Sequence, residues 1–468
     1  MLLSIRDIRL ALSKGTTVVE IVQGYLQAIE NQSSLNAFVE VFEEGALAEA
    51  HRIQNKISQG TAGRLAGVVI GIKDNLCFQG HKVSAASKIL EPFEALFTAT
   101  ALNRLLEEDA IVIGRLNCDE FAMGSSNEKS CYGPVLNNHD HTYVPGGSSG
   151  GSAVAVSAGL CTAALGSDTG GSIRQPASWT GTFGLKPSYG RISRSGLLAY
   201  ASSFDQIGTF SNNLEDAICL YEIMAGCDPL DATTTTMPVE TSLELNRPLT
   251  LGILSEYIHH EGIDPYIKHK LEGLLSTLVE AGVTVKTLDF PYMDYIVPAY
   301  YVLTTAEASS NLARYDGVHY GFRSRDAEGV DETYIKTRTA GFGEEVKRRI
   351  ITGTFVLSNE YYDTYYTKAQ KVRRLLQEKT KAFFEEVDCL ILPTTPTTAF
   401  KLGEVKDPIQ MYLQDIFTVH ANLTGNPAIS IPFGMNEHNL PFGLQLMTKQ
   451  FDEKTLFSTA NWLNSYVQ

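Results

Sequence analysis

The chain has 468 residues, 44 % hydrophobic and 19 % charged, an ordinary globular composition with length for a large core. Its 38 basic and 53 acidic side chains leave a formal charge of −15, which repels phosphate backbones and argues against this chain being the main grip on nucleic acid, without excluding a basic partner that does the gripping. The seven scattered cysteines, Cys77, Cys118, Cys131, Cys161, Cys219, Cys227 and Cys389, form no C-x-x-C pair and no zinc spacing, which reads as free thiols in a reducing, cytoplasmic compartment.

Residues 1–15 carry charges through what would be the apolar part of a signal peptide, and no run of about 18 apolar residues occurs. Between residues 4 and 30, Ile5, Ile8, Leu12, Val18, Ile21, Val22, Tyr25 and Ile29 recur at helical spacing around a break at Lys14-Gly15-Thr16, which predicts two amphipathic helices. From residue 65, short apolar runs alternate with helical patterns. The expected strands fall at 65–72, 110–114, 163–166, 250–254, 283–288, 389–392, 428–432 and 443–447. Such alternation points to an α/β fold, a sheet with helices on both faces. Segments 231–247 and 322–332 are weakly patterned and are expected as surface insertions.

Two serines set among glycines lie 24 positions apart, Ser148 in Pro145-Gly146-Gly147-Ser148-Ser149-Gly150-Gly151-Ser152 and Ser172 in Gly166-Ser167-Asp168-Thr169-Gly170-Gly171-Ser172. Glycine lets a substrate approach the backbone closely, so such serines can present a hydroxyl beside bare peptide N–H groups, as acyl chemistry requires. Taken alone the first stretch would be a linker, but it runs directly into Ala153-Val154-Ala155-Val156, a buried-helix pattern. The second lacks the Gly-Lys-Ser/Thr ending of a P-loop. A serine needs a base. His139 and His141 sit in a polar, solvated loop, whereas Lys73 ends an apolar strand, where desolvation lowers the pKa of an amine.

The runs Gly146–Ser152 and Gly166–Pro176, with Lys73 in Gly71-Ile72-Lys73-Asp74-Asn75, closely resemble the amidase signature family. The resemblance implies a large mixed β-sheet and a Ser, cis-Ser, Lys triad: Ser172 the nucleophile, Ser148 the bridging serine preceding a cis peptide bond, Lys73 the base. The backbone N–H groups of Thr169, Gly170, Gly171 and Ser172, ahead of a helix starting near Ile173, would form the oxyanion hole. Asp168 and Arg174 read as an ion pair that shapes this loop, and Ser149 and Ser152 as structural hydrogen-bonding residues. The expected organisation is an N-terminal helical region, 1–60, packed on a single catalytic domain, 61–468.

Segments 119–128, 183–191, 201–208, 346–355 and 412–417 are similar, within that family, to the glutaminase subunits of tRNA-dependent amidotransferases; Ala177–Thr180 and His420 are less typical. The similarity implies glutamine as substrate, with Arg348 or Arg349 as carboxylate clamp, Asp415 as ammonium partner and Tyr300 or Tyr301 as a further contact. Adjacent helical residues point about 100° apart, so one arginine of the two faces the pocket. It also implies B and C partner subunits, tRNA held mainly by B, ATP and Mg used there to amidate Glu-tRNA(Gln) and in some members Asp-tRNA(Asn), and no metal or cofactor in this chain. A stand-alone amidase is the alternative, needing the triad but not the clamp. A non-catalytic scaffold is disfavoured by intact Lys73, Ser148 and Ser172.

Overall fold

A computed structural model describes residues 4–245 and 247–467. Residues 1–3, Asn246 and Gln468, which belong to the expected N-terminal region, the 231–247 segment and the end of the catalytic domain, lie outside the described residues.

The chain opens with helices α1 (Ile5–Ser13), α2 (Val18–Asn31) and, after a first strand, α3 (Glu43–Gln59). The first two are those expected around the Lys14–Thr16 break. A capping box starts α2: the Thr17 hydroxyl accepts from the Glu20 amide at 3.1 Å, and the Glu20 carboxylate accepts from the Thr17 amide at 2.7 Å.

The described residues form eleven strands: β1 (Phe38–Val41), which lies between α2 and α3, β2 (Val69–Lys73), β3 (Ile111–Leu116), β4 (Ala163–Asp168), β5 (Phe183–Lys186), β6 (Gln206–Ser211), β7 (Thr250–Leu254), β8 (Thr284–Leu288), β9 (Cys389–Pro393), β10 (Ala428–Met435) and β11 (Pro441–Thr448). They form one sheet in the order β1-β3-β2-β4-β6-β5-β10-β11-β9-β7-β8. The pairs β2–β3, β2–β4, β7–β8 and β7–β9 are parallel and the rest antiparallel, so the sheet is mixed. Every residue of β2, β3, β4, β5, β6, β9 and β11 is buried. Successive strand side chains point to opposite faces, so burial at every position means that both faces are covered, as the α/β pattern predicts.

All eight expected strands are present. The sequence pattern missed β1, which has three part-buried residues and an exposed Val41, and β5 and β6, FGLK and QIGTFS, where glycine and polar residues interrupt the apolar run. Residues 231–245 carry no helix or strand, whereas the 322–332 segment is irregular only to Glu328, a helix spanning Gly329–Gly341. No helix among the described residues is long and apolar enough to cross a membrane.

Two parallel neighbours, third and fourth in the sheet order, position the chemistry. Strand β2 ends on Lys73 and β4 on Asp168, with Ile72 paired to Leu165, so the two carboxyl-terminal ends lie side by side. The chain leaving β4 forms a glycine loop and then the helix Arg174–Thr180. Leu165 is fully buried at this junction. Leu165→Ala is expected to cost ~2–5 kcal/mol in chemical denaturation, the transfer free energy of the lost methyls plus the cavity left behind.

Candidate active site

Lys73 is wholly buried, yet no carboxylate lies within ion-pair distance of its ammonium among the described residues. Its Nζ contacts the Ser148 Oγ at 2.7 Å, the Ser149 Oγ at 2.8 Å and the Ser167 Oγ at 3.0 Å. Asn75 donates to the same Ser167 hydroxyl at 2.9 Å. Burial among neutral hydroxyls penalises the charged form, and the more distant Asp119, Asp168 and Asp205 only partly offset it, so the lysine pKa falls to about 8. A group at about 8 is about one-tenth neutral at pH 7, against under about one in a thousand for an ordinary lysine.

Ser148 reaches the lysine because the turn before it is held on both sides. The Gln175 Oε1 accepts from the Gly147 N–H at 2.9 Å, and the Ser148 carbonyl accepts from the Asp119 N–H at 3.0 Å. The cis peptide bond lies between Gly147 and Ser148. It therefore precedes Ser148, a correction to the expectation that the serine would precede the bond; the turn is completed at the two glycines, before the serine. Ser149 Oγ, besides contacting Lys73, donates to the Ser167 carbonyl at 3.2 Å, and Ser152 Oγ donates to the Leu165 carbonyl at 3.0 Å.

Ser172 stands just ahead of the helix Arg174–Thr180 and keeps 8 % of its surface exposed. Its hydroxyl has no hydrogen-bond partner among the described residues, and its carbonyl accepts from the Ser149 N–H at 3.3 Å. The loop is shaped by Asp168 and Arg174, both fully buried and joined at 3.0 Å. Burial alone would raise the Asp168 pKa, but the guanidinium outweighs it and holds the carboxyl at about 2. That carboxylate also accepts from the Gly171 N–H at 2.8 Å and the Ile173 N–H at 3.1 Å. Of the four amides expected in an oxyanion hole, Gly171 is thereby engaged by Asp168, whereas those of Gly170 and Ser172 find no acceptor among the described residues. Two glycines are sterically required here. A Cβ at Gly170 would strike the Tyr300 phenol, and one at Gly171, whose φ is +132°, would strike the Thr418 side chain.

A second cluster adjoins the loop. Arg349 is 4 % exposed, lies over the rings of Tyr301 and Tyr412 at 5.2 and 5.4 Å, and donates to the Glu345 carboxylate at 2.8 Å and the Tyr200 hydroxyl at 2.7 Å. Its Nη2 has no partner among the described residues. Arg348 points the other way, with a side chain 49 % exposed that pairs with Glu345 and lines a cleft of about 360 Å³ with Lys88 and Lys129. Asp415 is buried, and its Oδ2 accepts from Ser125 Oγ at 2.7 Å and Tyr301 OH at 3.5 Å, leaving Oδ1 without a partner among the described residues. Desolvation raises the Asp415 pKa to about 7 against the Ser125 bond and the Arg349 charge. Both tyrosines face this cluster, Tyr300 against Gly170 and Tyr301 between Arg349 and Asp415. Thr418 Oγ1 ties it to the loop, 2.7 Å from the Gly170 carbonyl and 3.0 Å from that of Asp415.

Sequence reasoning missed Tyr200, Glu345 and Thr418, and reached Ser125, Ser167 and Tyr412 only as members of longer segments. Ser167 was legible in principle, one residue before Asp168 at the end of β4 and beside the strand that carries Lys73. His139 and His141 are exposed, as the polar loop predicts. His420 is a core residue: its ring contacts Tyr257 OH at 3.0 Å and Thr380 Oγ1 at 2.7 Å, and burial lowers its pKa to about 3. Trp179 packs with its Nε1 donating to the Thr397 carbonyl at 2.8 Å. Among the described residues no group of three or more His, Cys, Asp or Glu side chains is placed to hold a metal ion.

The sequence model of the family described as Amidase matches residues 20–457. A protein of Chlorobium phaeobacteroides, named as the A subunit of glutamyl-tRNA(Gln) amidotransferase, is 48 % identical over 465 residues, covering 98 % of each chain. A protein of the same name from Koribacter versatilis is 48 % identical, covering 98 % of this chain and 97 % of its own. The crystal structure of the A subunit of glutamyl-tRNA(Gln) amidotransferase from Thermotoga maritima superimposes with a TM-score of 0.78 at 40 % identity, over 95 % of this chain and 93 % of that one. The chain belongs to the amidase signature family.

Proposed function

We propose that this chain is the glutaminase subunit of a glutamyl-tRNA(Gln) amidotransferase, as its full-length relatives are named. One observation carries the reading. The atoms left without partners, Ser172 Oγ, the Gly170 and Ser172 amides, Arg349 Nη2 and Asp415 Oδ1, belong to residues gathered around Tyr300, Tyr301 and Thr418. They are what free glutamine needs: a nucleophile and two donors for the amide, a cation for the α-carboxylate and an anion for the α-ammonium.

In the proposed mechanism Arg349 and Asp415 hold the two ends of the amino-acid head and place the γ-carboxamide over the loop. Ser172 Oγ attacks the carboxamide carbon, its proton passing to Ser148 as Ser148 passes its own to neutral Lys73. The Ser148 and Ser172 hydroxyls are not hydrogen-bonded to each other in the free chain, and substrate closes that gap. The Gly170 and Ser172 amides, with that of Thr169, receive the oxyanion. Collapse breaks the C–N bond, the proton returns through Ser148 to the nitrogen, and ammonia departs. Water then attacks the γ-glutamyl ester with Lys73 again as base, releasing glutamate and restoring Ser172.

The ammonia serves a B subunit that uses ATP and Mg to activate glutamyl-tRNA(Gln), with a C subunit completing a cytoplasmic complex. The charge of −15 suits a chain that leaves tRNA to its partner.

Three outcomes test this reading. Ser172→Ala in the reconstituted complex is expected to abolish glutamine-dependent amidation while ammonium-driven amidation persists; surviving glutamine use contradicts it. Arg349→Ala is expected to raise KM for glutamine by ~10-fold or more through loss of a charge-assisted contact, whereas exposed Arg348→Ala stays within about twofold. Finally, kcat/KM for glutamine is expected to rise with pH and level off above about 8, because Asp415 at about 7 must lose its proton to hold the ammonium and Lys73 at about 8 must lose its own to act as base. A profile that is flat or falls from pH 6 to 8 contradicts the assignment.

A further inference from the structure

Asp205, immediately before β6, has a buried carboxylate that the mechanism does not use. One oxygen, Oδ1, accepts from the Thr169 hydroxyl at 2.6 Å. The other, Oδ2, accepts from the Tyr200 N–H at 2.9 Å and the Ala201 N–H at 3.0 Å. No cation pairs with it among the described residues, so hydrogen bonds alone compensate a buried carboxylate, a costly arrangement to keep.

Its partners lie on two sides of the site. Asp168 and Gln206 are paired across β4 and β6, so Thr169 and Asp205 face each other just beyond the end of that ladder. Thr169 adjoins the Gly170–Ser172 loop that offers the free amides. Tyr200, 2 % exposed, accepts from Arg349 Nη1 at 2.7 Å through its hydroxyl, and its ring lies 5.5 Å beneath the guanidinium. One carboxylate therefore joins the loop that would meet the amide to the arginine that would meet the α-carboxylate.

We infer that Asp205 is a positioning residue that fixes the separation between the Ser172 loop and Arg349, and so holds a substrate by its two ends in register for attack. This rests on the glutaminase reading and extends it. The separation between amide and α-carboxylate is a property of the substrate's chain length, so a rigid bridge between their two binding groups turns head-group binding into alignment at the reacting carbon. Cutting the bridge at Thr169 leaves both ends intact but free to drift. Tyr200 still holds Arg349, but the pair is no longer set relative to the Ser172 loop, so removing the Tyr200 hydroxyl costs less than in the intact protein.

A double-mutant cycle on the assembled complex tests this with L-glutamine as substrate. Thr169→Val removes the hydroxyl at one end of the bridge and Tyr200→Phe the hydroxyl at the other. Thr169→Val is expected to raise KM as well as lower kcat, although Thr169 does not touch the arginine. The loss in kcat/KM of the double variant is expected to fall short of the product of the single losses by about threefold or more. Thr169→Ser, which keeps the hydroxyl that Asp205 accepts from, is expected to recover most of the kcat/KM lost in Thr169→Val. If Thr169→Val does not fold, Asp205→Asn combined with Tyr200→Phe reads the same coupling. Losses that multiply, or a Thr169→Ser variant as impaired as Thr169→Val, overturn the proposal. Wild-type complex that fails to hydrolyse glutamine overturns the glutaminase reading itself, whereas active wild type with multiplying losses overturns the bridge alone.

Discussion

A lysine buried without a carboxylate is the constraint around which the rest of this structure is arranged. An ammonium in a dry interior is disfavoured, and a facing aspartate would restore its ordinary pKa and leave it unfit for the base role proposed above. Here Lys73 instead meets three serine hydroxyls, on Ser148, Ser149 and Ser167, brought to it by the parallel pairing of β2 with β4 and by the glycine turn ahead of the helix Gly150–Ser157. Hydroxyls can donate or accept, so the cluster serves the amine in either protonation state. Asp168, the carboxylate at the end of β4, is kept from the lysine by Arg174, which takes both of its oxygens.

The same logic of spending charges locally explains the second cluster. Glu345 accepts from Arg349 on the helix Glu344–Val356, which neutralises a guanidinium that would otherwise be buried alone, while one terminal nitrogen stays uncommitted. Asp415 receives hydroxyl donors only, Ser125 and Tyr301, and burial leaves its pKa near neutrality until a cation arrives. Each charged group is stabilised enough to be held in position and left incomplete on the side where substrate would bind. Breaking a buried pair by removing one partner typically costs ~3–5 kcal/mol, so Arg174 and Glu345 are structural requirements of the site even where they meet no substrate.

Much of this was legible in the sequence because the local pattern and the chemistry coincide. Lys73 ends an apolar strand, Ser148 and Ser172 sit among glycines that must admit a close backbone or ring, and all eight apolar runs became strands. Short strands such as FGLK gave no periodic signal, since their burial comes from sheet neighbours far away in sequence. The arginine question was open in the sequence because adjacent helical positions are equivalent until the helix is packed; burial against Tyr200, Tyr301 and Tyr412 selects Arg349. The Thr169–Asp205–Tyr200 link was invisible for a like reason. Its partners lie 36 and 5 positions from Asp205, and only the β4–β6 pairing brings the first within reach.

In the proposed mechanism the two serines have different tasks, Ser172 bonding to the substrate and Ser148, which meets Lys73, only carrying protons. Acid-quenching the assembled complex during steady-state turnover of glutamine, followed by mass-spectrometric mapping of the glutamyl ester, tests it directly. The ester is expected on the peptide carrying Ser172, with none on that carrying Ser148. An ester on Ser148, or on any of the cysteines, would contradict it.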